Sequence, residues 1–165
     1  MSHNPDLNPE DIRIQLYTLS DTRNIDEDKS GQLMKKFVEN SSYDLAGYEI
    51  IRENYETLKK SFNRAVEAEN IDVIISSGGT GITRRDRTVA VVREILEVEI
   101  PGFGELFRHL SYKEIGTKSI LSQALAARTG EKIIICLPGS PGAVKLAFDK
   151  ILLDELPHMV EMARS

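Results

Sequence analysis

The residues best suited to chemistry lie in one short stretch, residues 71–88. Gly78-Gly79-Thr80-Gly81 follows the apolar run Val73-Ile74-Ile75 and two serines. Three glycines in four residues let the backbone reach positive φ and approach a ligand closely. A strand that leads through such a turn into a helix brings unpaired backbone N–H groups together, where they can bind a phosphate or another anion. The stretch therefore predicts an anion site, with an ordinary tight turn as the alternative.

Charged residues follow the glycine turn directly. Arg84-Arg85-Asp86-Arg87 places one carboxylate among three arginines. Guanidinium groups match phosphate oxygens, and a carboxylate among them can hold a magnesium ion. Asp86 is alternatively the N-cap of the next helix. The stretch lacks both the Gly-Lys-Ser/Thr ending of a Walker loop and the three-glycine spacing of the dinucleotide fingerprint, so these two nucleotide motifs are excluded.

Polar segments follow three further predicted strands. The strands cover residues 12–19, 43–51 and 132–137, and the segments after them are Ser20-Asp21-Thr22-Arg23, Arg52-Glu53-Asn54 and Pro138-Gly139-Ser140-Pro141. In open α/β sheets ligands collect at the carboxyl ends of the strands, so Asp21 and Arg23 are candidates, with a solvated loop as the alternative. Ser140 followed by Pro141 is a strong helix start and predicts a second anion-binding point.

Apolar residues at spacings of three and four predict helices between the strands. The predicted helices cover residues 30–38, 55–66, 88–98, 105–112 and 118–127, and a last one begins at 141. Pro101-Gly102-Phe103-Gly104 is expected to interrupt the helical pattern between the helices at 88–98 and 105–112, and Pro157 is expected to kink or end the last helix. Strands that alternate with helices predict an α/β fold with a mostly parallel sheet covered by helices.

Composition narrows the class of protein. The 165 residues fit one domain, expected over residues 11–165, after a flexible polar arm at residues 1–10. A net charge of −5 argues against nonspecific nucleic-acid binding. No apolar run approaches 18 residues and no signal-peptide core is present, so no membrane association and a cytoplasmic location are expected. The lone Cys136 lies in an apolar strand and is expected to be buried.

Four ordered motifs resemble the MoaB/MogA family of molybdenum cofactor biosynthesis. They are Gly78-Gly79-Thr80-Gly81 with Arg85-Asp86, Pro101-Gly102-Phe103-Gly104-Glu105, Leu121-Ser122 and Leu137-Pro138-Gly139-Ser140-Pro141. The resemblance covers residues 12 to about 156, and residues 107–117 are closer to the MoaB branch. It implies a three-layer αβα sandwich with a mostly parallel central sheet, and self-association as a trimer or hexamer.

The resemblance also implies a reaction, the adenylylation of molybdopterin with Mg-ATP and release of pyrophosphate. Asp86 is similar in place to the family's catalytic and metal-associated aspartate. The resemblance further implies that Mg²⁺ binds at Asp86 and that molybdopterin and ATP share the surrounding pocket. The residues it implies for substrate and nucleotide binding are Ser20, Asp21, Gly78, Gly79, Thr80, Gly81, Arg85, Glu105, Ser111, Ser122, Pro138, Gly139 and Ser140.

Two positions depart from the family pattern. Arg52-Glu53 stands where active members have Pro-Asp, and Glu53 carries the charge one methylene further out. Gln123 stands where the family has an arginine, which is expected to remove a guanidinium facing phosphate. Two functions therefore remain open. In one, Asp86 and Glu53 act together in an adenylyltransferase; in the other, a non-catalytic oligomer of the same pathway binds or carries molybdopterin. A tungsten-pathway pterin would present the same groups.

Overall fold

The computed structural model describes residues 7–165 and contains one six-stranded sheet flanked by helices. The strands are β1 (Arg13–Leu19), β2 (Asp44–Ile51), β3 (Val73–Ser77), β4 (Val98–Glu99), β5 (Leu125–Thr129) and β6 (Lys132–Leu137). The helices are α1 (Lys29–Glu39), α2 (Tyr55–Glu67), α3 (Thr88–Ile95), α4 (Pro101–Ile115), α5 (Pro141–Ala147) and α6 (Leu153–Arg164).

The strand order is β2-β1-β3-β6-β5-β4, and the sheet is mostly parallel. β2, β1, β3 and β6 run parallel, whereas β5 is antiparallel to both β6 and β4. The chain leaves β1 toward β2 and leaves β3 toward the opposite edge, so the crevice between β1 and β3 is the switch point at which such sheets bind ligands. The carboxyl ends of all four parallel strands meet there.

Helices cover both faces of this sheet. One apolar cluster joins Met34 of α1, Phe107 of α4 and Leu156 of α6 to side chains of the central strands. The other joins Phe62 of α2 and Val92 of α3 to the opposite faces of the same strands. Val73, Ile74 and Ile75 are fully buried because both faces are covered, which is why β3 reads as a continuous apolar run. The predicted three-layer αβα sandwich is confirmed.

The prediction of a helix over residues 118–127 is wrong. Residues Gly116–Leu121 form a 3₁₀ helix, and the alanine-rich part is β5. Leu125 pairs with Cys136, and Ala127 pairs with Ile134 on one side and Glu99 on the other. The ladder between two strands therefore overrides the helix preference of alanine.

The helix boundaries around residue 100 also differ from the prediction. α3 ends at Ile95 rather than 98, because Val98–Glu99 pairs with β5 as an edge strand. Pro101 does not break the chain but begins α4, where its missing N–H would have had no helical partner. The helix predicted over 105–112 is thus the middle of a fifteen-residue helix.

Pro157 neither ends nor interrupts α6, which continues to Arg164. A proline inside a helix leaves the carbonyl four residues earlier without its donor. Here that carbonyl belongs to Leu153, and the Tyr43 hydroxyl donates to it at 2.7 Å. A single turn of π-helix, Phe148–Leu152, joins α5 to α6, so the helical segment from 141 onward is continuous.

The amino-terminal residues are described only in part. Pro9–Asp11 form a 3₁₀ turn, and Leu7 packs against the core. The rest of the arm predicted at residues 1–10, residues 1–6, lies outside the described residues. From residue 7 onward, no helix is both long and apolar enough to cross a bilayer.

Candidate functional site

A cavity of about 780 Å³ opens at the carboxyl ends of the parallel strands. Its walls come from the segments after β1, β2, β3 and β6 and from one side of α4 and the 3₁₀ helix. Of the residues predicted for the site, those that line it are Ser20, Asp21, Glu53, Gly78, Gly79, Thr80, Gly81, Arg85, Asp86, Ser111, Ser122, Pro138, Gly139 and Ser140. Segments distant in the sequence thus meet as the strand pattern predicts.

The glycine turn has a backbone that other residues rarely adopt. Gly78 and Gly79 have φ angles of +111° and +67°. A Cβ on Gly78 would lie 2.9 Å from the Leu19 carbonyl oxygen, and one on Gly79 only 2.1 Å from the Thr88 Oγ1 atom. Both conformation and space therefore require glycine at these two positions.

The turn presents unpaired donors to the cavity. The backbone N–H groups of Gly79, Thr80 and Gly81 donate no hydrogen bond to any described residue, although all three residues line the cavity. The N–H of Gly78 does have a partner, the Leu137 carbonyl at 2.9 Å. Free amide donors beside Arg85 form an arrangement that binds phosphate oxygens.

Asp86 lies at the mouth of this turn and is not the helix N-cap. α3 begins at Thr88 with Arg87 as its cap residue, so that interpretation of the sequence is wrong. One carboxylate oxygen of Asp86, Oδ2, accepts hydrogen bonds from the Thr83 N–H at 2.8 Å and the Thr83 hydroxyl at 2.6 Å. The other, Oδ1, accepts none from a described residue, so it remains available to a ligand.

Two further carboxylates lie close to Asp86. Asp21 accepts a hydrogen bond from the Glu53 N–H at 3.1 Å, which joins the segment after β1 to the segment after β2. Burial raises the pKa of the Glu53 carboxyl, the charges of Asp21 and Asp86 raise it further, and Arg85 opposes them. The cavity therefore combines carboxylates with guanidinium and amide donors.

The opposite wall of the cavity is held by hydrogen bonds to its carbonyl groups. The Ser77 hydroxyl donates to the Pro138 carbonyl at 3.2 Å, and the Ser30 hydroxyl donates to the Gly139 carbonyl at 2.8 Å. Ser140 caps α5 by accepting from the Ala143 N–H at 3.2 Å, as predicted. A Cβ on Gly139 would be 3.4 Å from the Gly78 Cα, so the two walls nearly touch at this point.

Comparison with known proteins agrees with this geometry. A family model described as a probable molybdopterin binding domain matches residues 15–158. The chain belongs to the MoaB/MogA family. Molybdenum cofactor biosynthesis protein B of Bacillus cereus is 41% identical over 152 residues, 92% of this chain and 90% of the relative.

Solved structures show the same family relationship. A crystal structure of Molybdenum cofactor biosynthesis protein B superimposes with a TM-score of 0.90 at 40% identity and covers 95% of this chain and 98% of that one. The tungsten cofactor synthesizing protein MoaB from Pyrococcus furiosus gives a TM-score of 0.82 at 32% identity, over 93% of this chain and 98% of that one. The fold predicted from the family resemblance is therefore the fold observed.

Two residues singled out from the MoaB/MogA pattern lie away from the cavity. Glu105 lines a second cavity of about 290 Å³, between α4 and the segment before β5. Gln123 lines this second cavity too, and its Nε2 atom donates to the Gly81 carbonyl at 2.5 Å. The side chain at position 123 therefore contacts a carbonyl of the turn and does not line the main cavity.

Some residues that line the main cavity are not among those predicted from the sequence. Lys118 adds a cation opposite the glycine turn, and Phe107 and Leu121 add apolar surface. The sequence predicts a regular helix at Lys118, whereas the residue lies in the 3₁₀ helix that begins at Gly116, whose φ is +66°. Gly116, two residues before Lys118, is the sequence signal for this change of conformation. Arg23, a candidate from its place after β1, does line the cavity.

Two further observations concern the single cysteine and metal binding. Cys136 is fully buried in β6, as predicted, and burial raises the pKa of its thiol to about 12, so little thiolate forms at neutral pH. Between residues 7 and 165, no three His, Cys, Asp or Glu side chains form a group that could hold a metal ion by themselves. A metal ion at Asp86 would therefore need further ligands, such as substrate phosphates and water.

Proposed function

We propose that the protein acts in molybdenum cofactor biosynthesis and adenylylates molybdopterin with Mg-ATP, releasing pyrophosphate. Family membership and the names of the relatives support the pathway. The observation that carries the reaction is that three unpaired N–H groups of the glycine turn, Arg85 and Asp86 line one cavity. Phosphoryl and nucleotidyl transfers depend mainly on positioning and on stabilising charge, which these groups supply.

The reaction forms one bond and breaks another at the α-phosphorus of ATP. A phosphate oxygen of molybdopterin attacks this phosphorus, and the bond to the oxygen that bridges the α- and β-phosphates breaks, so pyrophosphate leaves with that electron pair. The N–H groups of Gly79, Thr80 and Gly81 are available to bind oxygens on which negative charge increases. Arg85 and Lys118 supply positive charge in the same cavity.

Asp86 is suited to hold Mg²⁺ together with the substrate. Magnesium in nucleotide sites commonly takes one or two carboxylates and completes its shell with phosphates and water, so a protein cage of three acidic residues is not required. Oδ1 of Asp86 has no hydrogen-bond donor among the described residues and can serve as the ligand, while Thr83 fixes the other oxygen. The metal would supply charge neutralisation on the phosphates.

Glu53 supports this role from a neighbouring strand end. Its raised pKa reflects burial and the nearby charges of Asp21 and Asp86. Glu53 therefore completes the acidic group beside Asp86 in place of the family's aspartate.

One observation favours the alternative, a non-catalytic molybdopterin-binding or carrier protein. Both hydrogen bonds from Thr83 to Asp86 close a local turn, which gives the carboxylate a structural role without any reaction. The two functions share the cavity and differ only in whether bound ATP is cleaved.

Pyrophosphate release from Mg-ATP, measured with and without molybdopterin, tests the proposal. Asp86→Asn keeps an oxygen that Thr83 can bind and removes the charge, so the turn is retained. We expect this variant to lower pterin-dependent release by about 100-fold. Asp154→Asn, the same change at an exposed position of α6, is the matched control and should leave the rate unchanged.

The outcomes separate the two functions. Pterin-dependent release that is lost in Asp86→Asn supports the transferase, and comparison with Glu53→Gln then measures the contribution of the second carboxylate. Molybdopterin binding without any release would establish the carrier. An unchanged rate in Asp86→Asn would remove Asp86 from the mechanism.

We also propose that the protein self-associates as a trimer or hexamer. Support comes from large apolar side chains that α4 and the following 3₁₀ helix leave at the surface. They are Leu106 (45% exposed), Tyr112 (56%), Ile115 (53%), Ile120 (75%) and Leu121 (51%). Such an apolar surface is typical of a protein contact. Light scattering on a size-exclusion column would show the mass of a trimer or hexamer, and a monomer would refute the proposal.

A further inference from the structure

The carbonyl groups of the glycine turn accept hydrogen bonds from only two residues of the described chain, and Thr88 is the first of them. Its hydroxyl donates to the Gly78 carbonyl at 3.1 Å, and its backbone N–H donates to the Gly79 carbonyl at 3.2 Å. Thr88 is fully buried at the first residue of α3. The first half of the turn is therefore fixed to the start of that helix.

Gln123 is the second residue, and it approaches from the segment before β5. Its backbone N–H donates to the Thr80 carbonyl at 2.8 Å, and its side-chain Nε2 donates to the Gly81 carbonyl at 2.5 Å. The same residue thus holds two consecutive carbonyls of the turn. Neither Thr88 nor Gln123 lines the main cavity.

These bonds set the direction of the free N–H groups. In a trans peptide the C=O of one residue and the N–H of the next point in opposite directions, and the described chain has no cis peptide. The N–H groups of Gly79 and Thr80 therefore point away from Thr88. The N–H of Gly81 points away from Gln123. All three belong to residues that line the main cavity and have no partner within the described chain.

We infer that Thr88 and Gln123 are positioning residues: their bonds to the carbonyls of residues 78–80 preorganise the N–H groups of residues 79–81 for phosphate oxygens, and the Gln123 side chain fixes the end of the turn at the Gly81 carbonyl. The inference rests on the proposed function for the identity of the ligand as a phosphate group. It gives position 123 a role that does not need the family's arginine, because a neutral amide donor is enough to hold a carbonyl.

Binding of inorganic pyrophosphate, measured by calorimetry at fixed ionic strength, tests the inference without turnover. Thr88→Val removes the hydroxyl at nearly constant volume, and Gln123→Met removes the amide donor at similar length. Thr88→Ser keeps the hydroxyl and is the rescue variant. Thr129→Val is the matched structural control, because it removes another buried hydroxyl that donates to a carbonyl, that of Ile95, also at 3.1 Å.

We expect Thr88→Val to weaken pyrophosphate binding about five- to tenfold, the effect of one lost hydrogen bond that directs a cavity N–H. Gln123→Met keeps the backbone bond to the Thr80 carbonyl and frees only the Gly81 end of the turn, so it should weaken binding about two- to fivefold. Thr88→Ser should stay within about twofold of the natural protein on the same basis. Thr129→Val should lower the thermal midpoint without changing affinity. In nitrogen-15 spectra, pyrophosphate should shift the amide signals of Gly79 and Gly81 in the natural protein, and the shift at Gly79 should be smaller in Thr88→Val, which loses the bond to the Gly78 carbonyl.

Three results would overturn the inference: no pyrophosphate binding by the natural protein, unchanged affinity in both Thr88→Val and Gln123→Met, or an equal loss in Thr129→Val. The proposed adenylylation fails separately. Pyrophosphate binding that depends on Gln123, without any pterin-dependent release from ATP, would leave the positioning role intact and refute the transferase. Pterin-dependent release of pyrophosphate by the natural protein, with pyrophosphate affinity unchanged in Thr88→Val and Gln123→Met, would support the transferase and refute the positioning role.

Discussion

Replacing Gly79 by alanine should damage the protein more than the same change at any glycine with open space around it. Gly79 is buried and has a φ of +67°, and an added Cβ would lie 2.1 Å from the Thr88 Oγ1 atom. That oxygen is not the end of a flexible side chain, because Thr88 is fully buried at the start of α3. The hydroxyl must therefore rotate away or the turn must move.

The cost has two parts. Placing alanine in the left-handed region costs about 1–2 kcal/mol. Displacing the Thr88 hydroxyl breaks its bond to the Gly78 carbonyl, and a buried acceptor left without a donor costs about 1–3 kcal/mol. Together they predict that Gly79→Ala lowers the free energy of unfolding by about 3 kcal/mol.

Gly130→Ala is the matched control. Gly130 has a similar φ of +57° in the turn between β5 and β6, but a Cβ there would meet nothing within 4 Å. Only the conformational part applies, so this variant should lose about 1–2 kcal/mol. Urea unfolding of both variants, followed by circular dichroism, gives the difference that belongs to the Thr88 contact.

A third variant checks the cause. In a Thr88→Ala background the oxygen at 2.1 Å is gone and only the position 88 Cβ, at 3.2 Å, remains close, so Gly79→Ala should cost clearly less there than in the natural protein. Equal losses in Gly79→Ala and Gly130→Ala, with Thr88 present, would refute the reasoning, because the contact with Thr88 would then have no energetic weight.

Two further predictions concern carboxyl groups whose pKa is shifted. Burial alone would raise the pKa of Asp72, but hydrogen bonds from Arg13 and Arg164 outweigh it, and the pKa is lowered. Asp72→Asn should therefore destabilise the protein by about 2–3 kcal/mol near pH 7, and denaturant titrations should show this deficit shrinking as the pH falls below the ordinary aspartate value of 3.8. The pKa of Glu53 is raised, so its ionised form opposes folding above the ordinary value of 4.5. Glu53→Gln should raise the free energy of unfolding at pH 7 and leave it unchanged at pH 4; a stability gain that is equal at both values would contradict the reasoning.

Much of the fold is visible in the sequence because the buried strands read as unbroken apolar runs. β6 could be predicted with its observed bounds and β3 to within two residues, since both are covered on two faces and each ends in a turn of glycine or proline. β5 could not, because its alanines carry helix preference and its identity depends on pairing with Cys136 and Glu99, which are distant in the sequence. Pairing partners are tertiary information that local periodicity does not contain.

Most of the candidate site could also be predicted from the order of the strands. Parallel strands bring their carboxyl ends together, so a residue just after a predicted strand, such as Asp21 or Glu53, is placed without knowledge of any contact. Residues on the helical side are harder to place. Lys118 lines the main cavity from the 3₁₀ helix, whereas Glu105, on α4, lines the second cavity.

Gln123 shows that residue type alone does not place a side chain. Read as the loss of an arginine, the position predicts weaker phosphate binding, since a cation facing the ligand would be missing. In the structure its Nε2 atom donates to the Gly81 carbonyl, and the residue does not line the main cavity. The Gly81 N–H is directed instead by the backbone N–H of residue 123, which donates to the Thr80 carbonyl and does not depend on the side chain. The substitution therefore leaves the free N–H groups of the turn in place, and the decision between enzyme and carrier falls on Asp86 and Glu53.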